Sequence, residues 1–596
     1  MIYEIEIADT PTTESDSIVE VENATSESES ENEIENQVEV RRSGRIRNPP
    51  VRLIEEIATV GAGVGSEYNN TIELRPMTYE EAMECTDKDE WIKAVEEEYE
   101  NFKKFNVVEA VNKDDIPQDV VVLDTTWAMK RKANGIRRAR NNVRGFKEEP
   151  DVHYDERKTS APVVSDVTVK VLFVIMLMAG WVARVADVKG AFLLGEFDEE
   201  DQQIYIKVPE GFQKFYPKNS VLLLKRTLYG LKQAAREFYK VMIKIMKHME
   251  YERTEVDPCL YHKWDENGLS IWFSWVDDLV HMGNKNIVGV GIDKLKKVVL
   301  IDDVGDLKEY VGMKIEINQD ENSMKLTQPV TVKSFRDEFE LPSYEYKIPA
   351  APDSVLRNDD NYLDEDETTN FRKGVGKLLH VTRWTRPDTC NSVRDLTRRL
   401  KGPSEIHNVA MLRVMRFLDL TKEKGWTLKP SRVWDGMDKS FEFMIRGRSD
   451  SDHASCPDSR RSVSGYMVYL EDTMVAVKSN MQKRVALSST EAELYAAVSC
   501  VQMMMYIKRI LKSLSLQVKL PMVMETDNKG VVDLIDNWSI DGNTKHVETR
   551  MHYMRELKED NIVKLYWIPR EENESDMLVK NATQSEFEKH SSKFIA

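Results

Sequence analysis

At 596 residues the chain is too long for a single core, and three or four compact units are expected. Its formal net charge of −19 does not exclude a nucleic-acid partner, because residues 1–40 hold thirteen acids and no Lys or Arg, and the other 556 residues carry only −6. Five scattered cysteines (Cys85, Cys259, Cys390, Cys456, Cys500) with no C-x-x-C pair argue against structural zinc and for a reducing intracellular setting.

Residues 1–40 are Glu- and Ser-rich with few aromatics, a composition that predicts disorder. Arg41 to Arg52 follows as a short basic, Pro-containing arm, read equally as a solvated linker or as a nuclear-import or nucleic-acid contact, so that residues 1–70 form an acidic tail and basic linker. No basic-then-apolar secretory pattern opens the chain. From Thr78 the pattern turns helical: Thr78-Tyr-Glu-Glu81 has capping-box spacing, and Trp91, Ala94, Val95, Tyr99 and Phe102 recur at helical intervals. Between Phe105 and about Leu341, short β-rich runs alternate with helical stretches, as in an α+β domain. Within it, Lys130 to Lys147 carries eight basic residues, a stripe compatible with phosphate binding. The longest apolar run, Val171 to Ala183, is bounded by Lys170 and Arg184; it is too short to span a bilayer and predicts a buried helix running into a strand. Residues 348–370, with Pro349, Pro352 and an acidic cluster from Asp359 to Glu367, read as a linker. A mostly helical stretch from Phe371 to about Lys424 comes next, and a β-then-α unit fills roughly 440–585, with no repeat at a fixed period.

Two acids interrupt an apolar run at Trp275-Val-Asp-Asp278, between Leu269-Ser-Ile-Trp-Phe-Ser-Trp-Val276 and Leu279-Val-His-Met282. An unpaired buried carboxylate costs several kcal/mol or more, and the simplest compensating partner is a divalent cation. A second strand-like run, Trp181-Val-Ala-Arg-Val-Ala186, delivers Asp187. Side chains alternate along a strand, so Asp277 and Asp278 cannot serve one metal shell equally, and one of them is expected to pair with Asp187 across a sheet beside a tight hairpin turn. An ordinary Asp-rich turn is the competing reading.

Four more acids are spaced along the C-terminal unit. Asp450 follows the alternating run Phe441-Glu-Phe-Met-Ile-Arg446, Glu493 lies at a helix start in Ser488-Ser-Thr-Glu-Ala-Glu-Leu-Tyr495, Asp527 ends Met522-Val-Met-Glu-Thr526, and Asp576 opens a short apolar helix. Acids at two strand ends and two helix starts can converge on one pocket. Each also has a local explanation: Ser488 with Glu491 and Thr490 with Glu493 both have capping-box spacing, and the helix dipole favours Asp576. Asp452, two residues on and on the same strand face, is an alternative to Asp450.

Six blocks occur in order: Asp187-Val-Lys-Gly-Ala-Phe-Leu193, Ile204-Tyr-Ile-Lys-Val-Pro-Glu-Gly-Phe212, Leu228-Tyr-Gly-Leu-Lys-Gln-Ala234, Asp257-Pro-Cys-Leu-Tyr261, Trp275-Val-Asp-Asp278 and Val304-Gly-Asp-Leu-Lys308. The series resembles the reverse transcriptase of copia-type long-terminal-repeat retrotransposons, over about Met77 to Asn581 and including Thr385-Arg-Pro-Asp388 and His407. Ser449-Asp-Ser-Asp452, Arg460-Arg-Ser-Val-Ser-Gly-Tyr466, Ala486-Leu-Ser-Ser-Thr-Glu-Ala-Glu493, Thr526-Asp-Asn528 and Thr544-Lys-His-Val547, with Arg550 and His552, resemble the ribonuclease H domain of the same elements.

The resemblance implies an α+β multidomain fold: a right-hand polymerase (fingers, palm, thumb) over residues 71–345, a linker and helical connection over 346–440, an α/β ribonuclease H-like domain over 441–585, and a tail over 586–596. It implies an RNA- and DNA-directed DNA polymerase, a nucleotidyltransferase, with an attached ribonuclease H that cuts RNA in RNA–DNA hybrids by two-metal phosphoryl transfer. Asp187, Asp277 and Asp278 would hold two Mg²⁺ ions, with Mn²⁺ as a substitute, and Asp450, Glu493, Asp527 and Asp576 another two. Phe192 falls at the steric-gate position that excludes a ribose 2′-hydroxyl; Tyr229, Gly230 and Gln233 would line the nucleotide and template pocket; Arg138, Arg140 and Arg144 would clamp the triphosphate. His546 and His552 are expected to be structural or to contact backbone. The implied partners are an RNA template, an RNA–DNA hybrid, a DNA primer and deoxynucleoside triphosphates, with no membrane and with a dimer left open; the implied setting is a cytoplasmic particle, the nucleus or both.

Several positions depart from the family pattern. Trp275 replaces a tyrosine and adds bulk beside the metals, Ala235 replaces a proline, His453 and Ser455 replace a tryptophan and a glycine, and Asn141-Asn142 replaces an aliphatic pair on a strand expected to pack inward. These support a second reading, a decayed or domesticated copy that binds nucleic acid without catalysis. The Arg41 to Arg52 arm resembles the joint after an integrase, so the chain is expected to be the downstream part of a polyprotein.

Overall fold

The computed structural model describes residues 76–117, 120–131, 135–197, 203–536 and 545–596, so the readings for residues 1–40 and Arg41 to Arg52 lie outside the described residues. Helix α1 (Lys88–Lys104) buries Trp91, Ala94, Val95 and Phe102 on one face. Strands β1 (Thr125–Arg131) and β2 (Arg137–Val143) form an antiparallel pair against it. Alternation along β2 turns Ala139, Asn141 and Val143 inward, so only one of the two asparagines enters the core. Asn141 is held there by Thr125 Oγ1, 3.3 Å from its Nδ2, and by Glu98 of α1, which accepts from its backbone N–H at 3.4 Å.

Helix α2 (Asp166–Met178) is buried at every position from Val167 onward and leads into strand β3 (Val182–Val188), as the apolar run predicts. After helix α3 (Ala234–His248) come β4 (Glu252–Arg253), β5 (Leu260–Asp265), β6 (Gly268–Trp275), β7 (Asp278–Gly283) and β8 (Ile301–Asp306). These make one antiparallel sheet in the order β8-β3-β7-β6-β5-β4. A second sheet follows from β9 (Glu309–Tyr310), β10 (Met313–Asn318) and β11 (Ser323–Thr327).

Helices α4 (Glu365–Trp384), α5 (Cys390–Thr397) and α6 (Glu405–Leu420) then form a layer, after which β12 (Trp426–Leu428) returns to pair with β11. The acidic cluster expected to belong to a linker in fact starts α4: Asp364 caps the helix and forms a reciprocal capping box with Glu367. In the C-terminal unit, β13 (Ile445–Asp452), β14 (Val463–Leu470), β15 (Thr473–Met481), helix α7 (Ser489–Ser513), β16 (Met522–Thr526) and β17 (Val563–Trp567) build a mixed sheet in the order β15-β14-β13-β16-β17. Strands β13, β16 and β17 run parallel, and α7 covers β13 and β14. Residues 586–596 are not a tail. Helix α8 (Gln584–Ser591) continues into buried Phe594 and Ile595, and Ala596 exchanges backbone hydrogen bonds with Gly425 at 2.9 and 3.1 Å.

One buried cluster runs from Val164 on the flank of α2 through α4 to α6 and on to Ile595, joining the six-stranded sheet to the C-terminal sheet. Lys170 lies inside it, 1% exposed. Its Nζ pairs with Asp166 at 3.1 Å, donates to the Arg383 carbonyl at 3.1 Å, and lies 5.2 and 4.4 Å from the ring centroids of Trp384 and Trp426. Removing one partner from a buried ionic pair costs about 3 kcal/mol or more. Lys170→Ala is therefore expected to lower the urea midpoint of the full chain clearly; an unchanged midpoint would show that this contact carries no stability.

Candidate functional site

The first acid group sits at the tip of the β6–β7 hairpin. Val276 and Asp277 form its two-residue turn, and Trp275 pairs with Asp278 across it. Val276 has φ 55, a left-handed conformation that costs a β-branched residue about 1–3 kcal/mol. The turn is pinned by the sheet on one side and by Val188 N–H donating to the Asp277 carbonyl at 3.2 Å on the other. Across the ladder Asp278 pairs with Asp187, and Asp302 of β8 pairs with Asp187 from the opposite side.

The acids divide by environment. Asp187 and Asp277 lie within electrostatic reach of both Arg138 and Arg140 on β2, whereas Asp278 lies nearer the buried Tyr310. Burial, then the Asp277 charge, pushes Asp187 up to about 6 against the pull of the two arginines. Burial, then Asp277 and Asp187, pushes Asp278 up to about 8. Three half-buried acids brought together at one hairpin tip, with the proton affinities of Asp187 and Asp278 raised, form a donor set suited to a hard cation.

Around them, the Arg140 guanidinium lies 4.8 Å from the Tyr229 ring centroid, and Phe192 meets Tyr229 edge to face at 5.6 Å. Gly230 (φ 90) has a local structural reason: a Cβ there would fall 2.2 Å from the Val143 carbonyl, while Val143 N–H donates to the Tyr229 carbonyl at 2.7 Å. Gln233 is buried, with Nε2 donating to the His153 carbonyl at 3.4 Å. Arg144 is exposed and within electrostatic reach of Glu80, so it is not brought to the acids with Arg138 and Arg140. Trp275 is turned toward α4, where it meets Trp384 edge to face at 5.8 Å; its bulk is taken up there.

The second group is tighter. One carboxylate oxygen each from Asp450, Glu493 and Asp527 lie within 4.8 Å of one another. Strand β13 and helix α7 approach closely because position 447 is glycine: a Cβ there would come 2.6 Å from Cys500 Sγ and Met504 Sδ. Ser451 N–H then donates to Glu493 Oε1 at 3.1 Å. The capping role belongs to the other glutamate, since Ser488 accepts from Glu491 N–H at 3.1 Å and Glu491 accepts from Leu487 N–H at 2.7 Å. Glu493 Oε2 is buried with no hydrogen-bond partner, an orphaned acceptor that fits a divalent cation.

Burial, then Glu493, Asp527 and Asp576, raises Asp450 well above the carboxylate range, and burial with Asp527 pushes Glu493 up to about 8. Burial likewise raises Asp527. Asp576 stands at the edge of this trio, paired with Lys580 at 2.9 Å and Arg570 at 3.4 Å. Asp452 is half-buried and outside the trio.

Other contributors carried no local sequence signal. Asn573 anchors the Asp576 turn by donating from Nδ2 to the Ser449 carbonyl at 3.0 Å and accepting from Ser575 Oγ at 2.5 Å. Glu98 and Asp302 became visible only once distant strands were brought together. Arg550 covers the Tyr495 ring at 4.4 Å, His552 and His453 are exposed, and the His546 side chain lies outside the described residues.

Asp187, Asp278 and Glu493 keep protons in the folded state that they release when unfolded, where carboxyls titrate near about 4. Their contribution to stability is therefore full below pH about 4 and lost as pH rises through about 6 and then 8. In chelator, the melting temperature of the wild type should fall over this range more steeply than that of Glu493→Gln, and Mg²⁺ should restore it at pH 8. Parallel curves for the two proteins would refute this electrostatic account.

Residues 105–352 match the family model described as reverse transcriptase (RNA-dependent DNA polymerase). The retrovirus-related Pol polyprotein from transposon TNT 1-94 of Nicotiana tabacum is 30% identical over 526 residues, 86% of this chain and 38% of that protein. That from transposon RE1 of Arabidopsis thaliana is 26% identical over 484 residues, 80% and 32% of the two chains. The chain thus spans roughly a third of the length of these relatives. Among solved structures, LC11-RNase H1, isolated from compost, aligns with 23% of this chain and 92% of its own at 16% identity and a TM-score of 0.19. By this match residues 105–352 are a reverse transcriptase domain, and over most of its length the chain is similar to part of the retrovirus-related Pol polyproteins of transposons.

Proposed function

We propose that the chain is an RNA- and DNA-directed DNA polymerase with an attached ribonuclease H, each reaction served by one of the two acid groups. For polymerisation the reading rests on the Asp187–Asp278 pairing, with Asp277 at the turn and Arg138 and Arg140 facing it. Asp187 and Asp277 would bind the cations with Asp278 in support, while the two arginines hold a triphosphate and Phe192, braced by Tyr229, shapes the sugar pocket against a 2′-hydroxyl. Gly230, Gln233 and Arg144 act indirectly: Gly230 lets β2 pack against the Tyr229 segment, Gln233 ties that segment to His153, and Arg144 extends the basic stripe. For hydrolysis it rests on the convergence of Asp450, Glu493 and Asp527 with Asp576 beside them. Two Mg²⁺ ions per site, when bound, would neutralise charge on the attacking and leaving oxygens. The chain's own part is to hold converging carboxylates rigidly and to bring the scissile phosphate beside them. The substrates are a primed RNA or DNA template with deoxynucleoside triphosphates, and the RNA strand of an RNA–DNA hybrid.

Primer extension with Mg²⁺ tests the first activity. Asp277→Asn should lower extension by at least about a hundredfold, since loss of a metal-binding acid removes several kcal/mol of stabilisation; no extension by well-folded wild type would instead leave the domain a nucleic-acid binder. For the second activity, a labelled RNA strand annealed to DNA should be cut in a Mg²⁺-dependent way by the wild type and not by Asp450→Asn. Equal cutting by both proteins would remove Asp450 from the mechanism.

A further inference from the structure

The three converging acids of the second group are not held alike. Asp450 lies within the β13–β14 ladder, opposite Gly465, and Glu493 is carried by helix α7 and bonded by the Ser451 N–H. Asp527 has neither support. The pairing of β16 with β17 ends at the Thr526–Trp567 register, where Ile568 N–H donates to the Thr526 carbonyl at 2.9 Å. Asp527 and Asn528 then link β16 to the helix Lys529–Asp536. Asn528 is fixed within the link, its N–H donating to Thr526 Oγ1 at 3.3 Å and its Oδ1 accepting from Val531 N–H at 3.2 Å. The main-chain carbonyl of Asp527 finds its donor outside, in the indole N–H of Trp567 at 3.0 Å. A short link outside both ladder and helix is free to tilt, and a shift of about 1 Å is enough to spoil a shared cation shell.

Core packing does not account for the indole, because Trp567 is 43% exposed. What the ring touches is the link itself. Its N–H holds Asp527, and Lys529, the first residue of the following helix, places Nζ 4.4 Å from the ring centroid. Strands β13, β16 and β17 run parallel, so Trp567 stands at the sheet end to which β13 and β16 bring Asp450 and Asp527. We propose that Trp567 is a positioning residue of the second acid group, its N–H holding the Asp527 peptide so that the carboxylate stays with those of Asp450 and Glu493, an assignment that rests on the nuclease reading. An indole suits the task because it carries a single donor on a rigid ring; a phenyl ring in its place would keep the contact with Lys529 and lose the bond.

Two measurements on the full chain test this. Mg²⁺ binding is followed by calorimetry in a chain carrying Asp277→Asn, which weakens the first acid group as a competing cation site, and cleavage of an RNA–DNA hybrid is followed for kcat and KM in the otherwise wild-type chain. Trp567→Phe should weaken Mg²⁺ binding several-fold and lower kcat by about tenfold, the scale of one lost hydrogen bond, with KM for the hybrid unchanged. Benzothienylalanine at position 567 keeps the shape of the indole with sulfur in place of the N–H, and should give the same losses. Wild-type Mg²⁺ binding and turnover with this isostere would overturn the proposal, since the ring and not the bond would then matter. A raised KM at unchanged kcat would overturn it too, making Trp567 a substrate contact, as would losses that disappear on cooling well below the melting temperature, which would mark the bond as serving stability alone. If the wild-type chain cuts no hybrid the nuclease reading fails, whereas unaltered Mg²⁺ binding in both variants defeats the role of Trp567, so the two failures are told apart.

Discussion

The burial of α2 is the constraint on which the rest of the molecule depends. A helix apolar on all sides has no stable place at a surface and must be covered completely. Here the six-stranded sheet covers one flank, while α7 and β15 of the C-terminal unit, with Trp384 and Trp426, cover others. Its polar positions are satisfied across the same seam. Asp257 accepts from Ser165 N–H at 2.9 Å and Thr168 Oγ1 at 2.7 Å, and Thr168 Oγ1 in turn lies 3.2 Å from Tyr506 Oη on α7. The Asp257-Pro-Cys-Leu-Tyr261 block therefore has a structural reason, and the two acid groups are fixed relative to one another by a common core.

That core carries the electrostatic cost of both sites. Each site places an acid at a strand end against acids from neighbouring elements, and burial together with mutual repulsion raises several of their proton affinities. The first site adds the strained turn at Val276. Such an arrangement persists because the flanking strands are held by interior packing that the acids do not disturb: β6 is buried from Gly268 to Ser274, and β14 along its whole length. Destabilised sites of this kind are found where a ligand supplies the missing compensation.

Much of this was legible from local pattern. Strict alternation and apolar runs marked the strands that carry Asp187 and Asp450 and the one that leads into Asp527, and the length of the apolar run at 171–183 distinguished a buried helix from a membrane span. What stayed hidden depends on contacts between residues distant in sequence. Nothing local shows that Trp426 to Leu428 returns to the sheet of Ser323–Thr327, that the last residues close the same seam, or that Asp302 pairs with Asp187. Residues 348–370 misled for a different reason: Pro and acids mark both linkers and helix starts, and only the reciprocal bonds of Asp364 and Glu367 decide between them. Asn141 is tolerated inward because Glu98, 43 positions earlier, supplies a polar neighbour.

Trp275 shows how such distance changes the meaning of a substitution. Judged by its neighbours in sequence, the added ring crowds the cations and argues for a decayed site. In the folded chain it packs on Trp384, whose own ring flanks buried Lys170, while the adjoining Arg383 pairs with Asp166 at 2.6 Å. The ring thereby ties the hairpin that carries Asp277 and Asp278 to α4 and, through Lys170 and Asp166, to α2. A larger aromatic at this position extends the common core toward the acids instead of filling the space in front of them, so the departure from the family pattern bears on how rigidly the hairpin is held more than on whether a substrate can reach it.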